Sequence, residues 1–247
     1  MRYFDNSPQI VGPNDTFDDP IYRAKHTPVA LSKTLSVKLF LDAYSKGIFP
    51  WDKVGNIFTW WSPCPRAILN PKDFHVSRSL KKWIRTHQFD VTIDSCFEKV
   101  IQQCAATTLK RPQTWISPEY INVYKQLHKL GYAHSVEIWI DNKLAGGIFG
   151  LALASIFHGE SMFSESSNAS KIAMLSLCEI MIVKQIHTLD CQLMHSHLAS
   201  LGVKSIEREC FIQLVKLNSK LQFTAEKWDI SEFELEFSRK SSGSGKI

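Results

Sequence analysis

Two short segments carry the residue types best suited to chemistry. The first is Gly159-Glu160-Ser161-Met162-Phe163-Ser164, which follows an apolar run ending in Phe157 and sets one carboxylate among apolar neighbours. Glutamate is rarely buried without a partner, so Glu160 either makes an ion pair or stands on the wall of a pocket. The second is Asp190-Cys191-Gln192. Alternate residues of a strand share a face, which sets Asp190 beside Gln192 and turns Cys191 the other way, into packing. That geometry argues against Cys191 as a nucleophile working with Asp190. A polar pair on an otherwise apolar strand lines either a cleft or a solvent-facing edge.

A third group is basic. Arg78, Lys81, Lys82 and Arg85 fall on one broad face of a helix. A plain solvated face would look the same. Near them in sequence runs an aromatic stretch with Phe49, Trp51, Phe58, Trp60 and Trp61, broken by Pro50, Pro63 and Pro65, and Trp115 comes further on. Cationic side chains beside flat aromatic rings suit phosphates and unpaired bases. Each tryptophan taken singly suits a core or a loop anchor equally well.

Several chemistries are disfavoured. His195 and His197 are two apart on a predicted helix and point in nearly opposite directions, so they form no metal site with Cys191. The glycine-rich stretch 145–150 (AGGIFG) lies inside a predicted hairpin strand, not at a strand-to-helix turn, and makes a poor phosphate loop. No Gln/Arg-x-x-Gly-x-Gly/Ala loop opens a helix, which counts against an acyl-CoA donor. The six cysteines are scattered without a CxxC pair, as expected of free thiols in a reducing compartment. A net charge of +5 is compatible with a polyanionic partner without requiring one.

The elements that must position these groups follow from periodicity. Helices are predicted over 36–46 (ended by Gly47), 78–87 (capped by Ser77), 95–105 and 118–130. Residues 134–159 alternate as an antiparallel meander that turns at Asp141-Asn142. A buried helix over 171–184, a short strand over 187–193, a helix over 195–201 stopped by Gly202 and an amphipathic helix over 208–217 complete the pattern. The first thirty or so residues, with Pro8, Pro13, Pro20 and Pro28, read as loop or a loosely packed arm. The Ser-, Gly- and Lys-rich residues 238–247 read as a disordered tail. No apolar run reaches the roughly eighteen residues of a membrane span, and the N-terminus lacks the apolar core of a secretory signal, so a cytoplasmic location without membrane contact is expected. Helices on a mostly antiparallel sheet make an α+β protein with a smaller piece in front.

Taken together, AYSKGIFPW (43–51), WWSPCPRAIL (60–69), HVSRSLKK (75–82), TWISPEY (114–120), LHKLGYAHSVEIW (127–139), GESMFSESSNASK (159–171), DCQL (190–193) and HLASLG (197–202) resemble the bacterial leucyl/phenylalanyl-tRNA–protein transferases. The resemblance implies a small N-terminal α/β domain (1–65) and a larger N-acetyltransferase-like (GNAT-like) domain (66–237). It implies transfer of Leu, Phe or Met from aminoacyl-tRNA to a protein beginning with Arg or Lys, marking that protein for degradation, by a monomer without cofactor or metal. Trp51 and Trp115 would hold the terminal adenosine. Phe157, Gly159, Met162, Met174, Leu177, Met181 and Leu189 would line the side-chain pocket, and the face of Arg78, Lys81, Lys82 and Arg85 would bind the tRNA. Glu160, Asp190 and Gln192 would form the polar centre, with Gln192 orienting the attacking amine and Asp190 accepting from its side-chain NH2. The chain departs from the family pattern over 25–35 and at Asn70, Ala154 and Glu207. Competing readings are an acetyl-CoA N-acetyltransferase and a non-catalytic RNA-binding protein.

Overall fold

The aromatic, proline-broken stretch folds as sheet. The computed structural model describes residues 7–107, 112–221 and 225–233. In it β1 (Gln9–Ile10) runs parallel to β2 (Ala30–Ser32), and α1 (Val37–Tyr44) follows, its first turn capped by the Ser36 hydroxyl accepting from the Leu39 N–H. The aromatic stretch forms the hairpin of β3 (Phe49–Val54) and β4 (Ile57–Trp61), giving a four-stranded sheet in the order β1-β2-β4-β3. The expected loose arm is corrected by its packing. Val11, Phe17 and Val29 are buried, and the buried Arg208 donates to the carbonyls of Arg23, Ala24 and Ser62. Strands of two and three residues are too short to show alternation, which is why the sequence reads as loop there.

The remaining elements are β5 (Arg66–Leu69), α2 (Arg78–Thr86), β6 (Asp90–Ile93), α3 (Phe97–Ala105), α4 (Pro118–Lys129), β7 (Ala133–Ile140), β8 (Lys143–Leu153), β9 (Ile156–Ser164), α5 (Ala169–Val183), β10 (Thr188–Gln192), α6 (Ser196–Ser200), β11 (Lys204–Ile206) and α7 (Arg208–Asn218). The predicted helices are present within a residue or two, and so is the meander, but its last strand, β9, runs on to Ser164, so Glu160 stands inside the strand and not just after it. Asp141 and Asn142 turn the β7–β8 hairpin with positive φ at both positions, as its twist requires. Seven strands form one sheet in the order β11-β5-β10-β9-β8-β7-β6. Its pairs are antiparallel except β9 with β10, so the sheet is mixed. Parallel neighbours need a crossover, and α5 supplies it. The expected tail, 238–247, lies outside the described residues.

Helices cover both faces of this sheet. Along β8 the neighbours Ile148 and Phe149 enter different apolar clusters. One holds Leu80 of α2, Ile172, Met174 and Leu177 of α5, and Trp228; the other joins α1, α3 and α4 to Trp60 of the small sheet. No helix among the described residues is long and apolar enough to cross a membrane.

Three strands lose register where the candidate site residues stand. Pro50 pairs with Trp60 and Asp52 with Thr59, leaving Trp51 extra; Gly150 pairs with Gly159 and Phe149 with Ser161, leaving Glu160 extra; Asp190 pairs with Ile68 and Gln192 with Ala67, leaving Cys191 extra. A β-bulge re-aims a side chain and sharpens the local twist. The bulge at Glu160 depends on close approach of β8. A Cβ on Gly150 would lie 2.2 Å from the His158 carbonyl oxygen, a backbone atom that cannot swing aside. Gly150→Ala is therefore expected to destabilise the fold by roughly 1–3 kcal/mol, the usual cost of overpacking. Urea unfolding checks this, and a variant within about 0.5 kcal/mol of the parent would show that β9 has room to move.

Candidate active site

Glu160 is buried and, among the described residues, makes no ion pair. Oε1 accepts from the Tyr44 hydroxyl at 2.6 Å and from Gln192 Nε2 at 3.1 Å, while Oε2 accepts from the Tyr120 hydroxyl at 2.5 Å. Tyr124 stands behind, its hydroxyl 3.3 Å from that of Tyr44. Tyr44 comes from the last turn of α1, and Tyr120 and Tyr124 lie one turn apart on α4, so two helices converge on one bulged strand residue. Burial pushes the Glu160 carboxyl up to about 7, against the pull of the tyrosine hydroxyls and the Gln192 amide. The same burial, with Glu160 beside them, raises the three phenols well above their ordinary range, which keeps them neutral donors.

Asp190 is as deeply buried and is the ion-paired member. Arg66 grips it with two bonds, Nε to Oδ1 at 2.7 Å and Nη2 to Oδ2 at 2.6 Å, and both side chains are fully buried. His158 Nδ1 lies 2.8 Å from Oδ2. Burial alone would raise this carboxyl, but the guanidinium beside it wins and holds it well below the usual carboxylate range. His158 is lowered as well, by burial that outweighs the pull of Asp190, and is therefore neutral. One detail of the expected polar centre is corrected. The Gln192 side-chain NH2 goes to Glu160, and Asp190 instead accepts from the Gln192 backbone N–H at 3.0 Å. The reason is the bulge at Cys191 together with a φ of 61° at Gln192, which turns its side chain away from its neighbour.

Glu160 also borders a cavity of about 340 Å3 lined by Ile148, Gly159, Met162, Met174, Leu189, Cys191, His195 and Leu198. Gly159, Met162, Met174 and Leu189 of the expected pocket are thus brought together. Phe157, Leu177 and Met181 are buried in the core and do not line it. Cys191, the bulged residue, packs against that core but also shows one side to the cavity, where simple alternation would have turned it away. A second cleft, about 380 Å3, is walled by Trp51, Trp61 and Trp115 with Asp52, Gln113 and Thr114. The Trp115 ring meets that of Tyr120 edge-on at 4.9 Å, and Tyr120 in turn bonds Glu160. Arg78, Lys81, Lys82 and Arg85 are all exposed on α2. That helix packs on the cluster opposite to the one holding Trp61 and Trp115, so the basic face is not beside the tryptophans.

Arg66, His158, Tyr44, Tyr120 and Tyr124 escaped the reading of the sequence. The four-residue spacing of Tyr120 and Tyr124 was the signal available for two of them. Arg66 and His158 carry no spacing cue, because only the strand order brings them to Asp190.

Known proteins match this chain over most of its length. The family model for leucyl/phenylalanyl-tRNA protein transferase matches residues 68–216, and the model for the N-terminal domain of that family matches 33–64. A Leucyl/phenylalanyl-tRNA--protein transferase from Legionella pneumophila (strain Corby) is 44% identical over 217 residues, 88% of this chain and 97% of its own. One from Pectobacterium carotovorum subsp. carotovorum (strain PC1) is 45% identical over 205 residues, 83% of this chain and 85% of its own. The chain belongs to the leucyl/phenylalanyl-tRNA–protein transferase family. Among solved structures FemX is similar at a TM-score of 0.44 with 10% identity, covering 76% of this chain and 74% of its own.

The raised Glu160 carboxyl carries a prediction about stability. Between the ordinary 4.5 and about 7 the folded protein binds more protons at this position than the unfolded chain does. The contribution is complete below the unfolded value and is lost as pH rises through about 7. Glu160→Gln should therefore gain stability relative to the parent between pH 5 and pH 8. Thermal melts across that range read the difference, and one that does not change with pH would contradict the raised carboxyl.

Proposed function

We propose that this chain transfers leucine, phenylalanine or methionine from aminoacyl-tRNA to the N-terminal Arg or Lys of an acceptor protein, forming a peptide bond that marks the acceptor for degradation. Membership of the transferase family supports aminoacyl transfer from tRNA to protein N-termini. The observation that carries the reading is one run of contacts, Trp115 to Tyr120 to Glu160 to the apolar cavity, which joins an aromatic cleft to a side-chain pocket through a carboxyl group. An aminoacylated 3′ end needs those three surroundings in that order. Its adenine stacks between Trp51 and Trp115, its ester carbonyl reaches the polar centre, and its side chain enters the cavity beside Met162 and Met174.

The chemistry is aminolysis of an ester that is already activated, so neither ATP nor a cofactor is required. An α-amino group has an ordinary pKa of about 7.7–8.0, and a useful fraction is neutral near pH 7. The neutral nitrogen attacks the ester carbon, the bond to the 3′ oxygen breaks, and the proton shed by nitrogen balances the one gained by that oxygen. Gln192 donates its NH2 to Glu160 and so presents its carbonyl oxygen to the incoming amine. Glu160, at about 7, is able to hold or release a proton at that pH. Most of the acceleration then comes from holding amine and ester together.

The parallel β9–β10 pair inside an otherwise antiparallel sheet, bridged by α5, supports an N-acetyltransferase-like architecture for the larger domain. The exposed Arg78, Lys81, Lys82 and Arg85 offer the tRNA body a cationic face, and the chain acts as a monomer in the cytoplasm.

Labelled Leu-tRNA supplied with a peptide beginning with Arg tests the whole reading. Label should move to the peptide only from intact aminoacyl-tRNA, and transfer from acetyl-CoA instead would sink the assignment. Glu160→Ala and Gln192→Ala should lower turnover more than tRNA affinity, whereas Lys81→Glu with Lys82→Glu should weaken tRNA binding more than turnover. Met174→Ala should shift the ratio of Leu to Phe transferred, and an unchanged ratio would remove Met174 from the pocket wall.

A further inference from the structure

The Asp190 carboxylate uses every acceptor position it has. Oδ1 accepts from Arg66 Nε at 2.7 Å and from the Gln192 N–H at 3.0 Å, and Oδ2 accepts from Arg66 Nη2 at 2.6 Å and from His158 Nδ1 at 2.8 Å. A carboxylate offers about four lone-pair sites. None is left for an incoming amine, so Asp190 acts on the reaction only through what it holds.

What it holds is the backbone of Gln192. A φ of 61° is left-handed, a strained conformation that a non-glycine residue keeps only where its surroundings enforce it. The bond from Asp190 Oδ1 to the N–H two residues on closes an Asx-type turn that enforces it. In that conformation the Gln192 amide reaches Glu160. Asp190 is itself held from two sides. Arg66 lies between the rings of Phe49 and Phe211, 4.7 and 4.4 Å from their centroids, and its Nη1 donates to the Gly47 carbonyl at 3.1 Å. The His158 ring lies 4.9 Å from that of Tyr44, whose hydroxyl bonds Glu160. His158 therefore touches both halves of the polar centre.

We propose that Arg66 and His158 are positioning residues of the transfer step: they clamp the Asp190 carboxylate, which sets the left-handed turn at Gln192 and so delivers its amide to Glu160. The proposal deepens the aminoacyl-transfer reading and rests on it.

Four proteins test it: the parent, His158→Leu, His158→Asn and Arg66→Lys. Each is melted to check folding and assayed with Leu-tRNA and an Arg-initiated peptide for kcat and for the KM of each substrate. Loss of the clamp misplaces Gln192, and a misplacement of the order of 1 Å costs about 100-fold in rate. His158→Leu is expected to lower kcat by about that factor, with the KM for Leu-tRNA within about threefold of the parent. In His158→Asn the side-chain NH2 can stand where Nδ1 stood, and it should recover about tenfold of that loss. Arg66→Lys keeps the charge but not the two-pronged grip, and should also lower kcat by about tenfold or more. The proposal is overturned if folded His158→Leu keeps a kcat within about threefold of the parent, if Asn rescues no better than Leu, or if the change falls on KM instead of kcat. Failure of all three variants to fold would overturn it too, by assigning the clamp to stability alone. A parent protein that moves no leucine would defeat the aminoacyl-transfer reading itself, a result read before any variant is compared.

Discussion

The ion pair between Arg66 and Asp190 is the constraint on which the rest of the structure turns. Two charges removed from water cost several kcal/mol each, and mutual attraction recovers that only where geometry is good and the remaining donors and acceptors are satisfied. Both requirements shape the surroundings. Arg66 is a β5 residue whose strand lies between β10 and β11, and the Phe49 and Phe211 rings that sandwich it bring in the small sheet and α7. The carboxylate takes its further bonds from β9 and from its own strand. One fully buried pair thus ties together three strands, the end helix and the hairpin that carries Trp51.

A second carboxylate within the same centre has the opposite character. Glu160 is met by neutral hydroxyls and an amide, with no cation paired to it among the described residues, and burial is the larger influence on its state. Two acids of similar intrinsic strength are thereby driven apart, Asp190 to permanent ionisation and Glu160 to the threshold of titration near neutrality. That separation is how one site can hold a fixed anchor and a group able to change its proton.

Much of the fold was legible because the relevant segments are long. Helices such as α4, and the β7–β8–β9 meander, display their periods over many residues, α5 is apolar on nearly all sides and so reads as buried, and Ser77 announces its helix by a hydroxyl in the cap position. The two- and three-residue strands β1 and β2 have no period to show. At the site, Glu160 stood out as an acid among apolar neighbours, and Gly159, Met162, Met174 and Leu189 followed from the family motif. Arg66 and Tyr44 were hidden because each reaches the centre from a distant strand or helix, and His158 because only the pairing of β9 with β10 sets it opposite Asp190. The bulges at Trp51, Glu160 and Cys191 were hidden for another reason. Alternation assumes a regular pleat, and one extra residue breaks the inference at the very positions where it was applied to Asp190 and Gln192.

The order of the chain also bears on how the molecule comes into being. Tyr44 and Glu160 are 116 residues apart, Arg66 and Asp190 are 124 apart, and Arg208 fastens to Ala24 across 184. Contacts this remote form late, because the loop entropy of closing them is met before any of them rewards it. During synthesis from the N-terminus, Arg66 has no counterion until β10 has left the ribosome, and the first strands have no clasp until α7 follows. A nascent chain that stops short of residue 190 therefore carries an unmatched guanidinium and an unfinished centre. The fold and its polar centre are thus closed by the same late-made elements, β10 and α7.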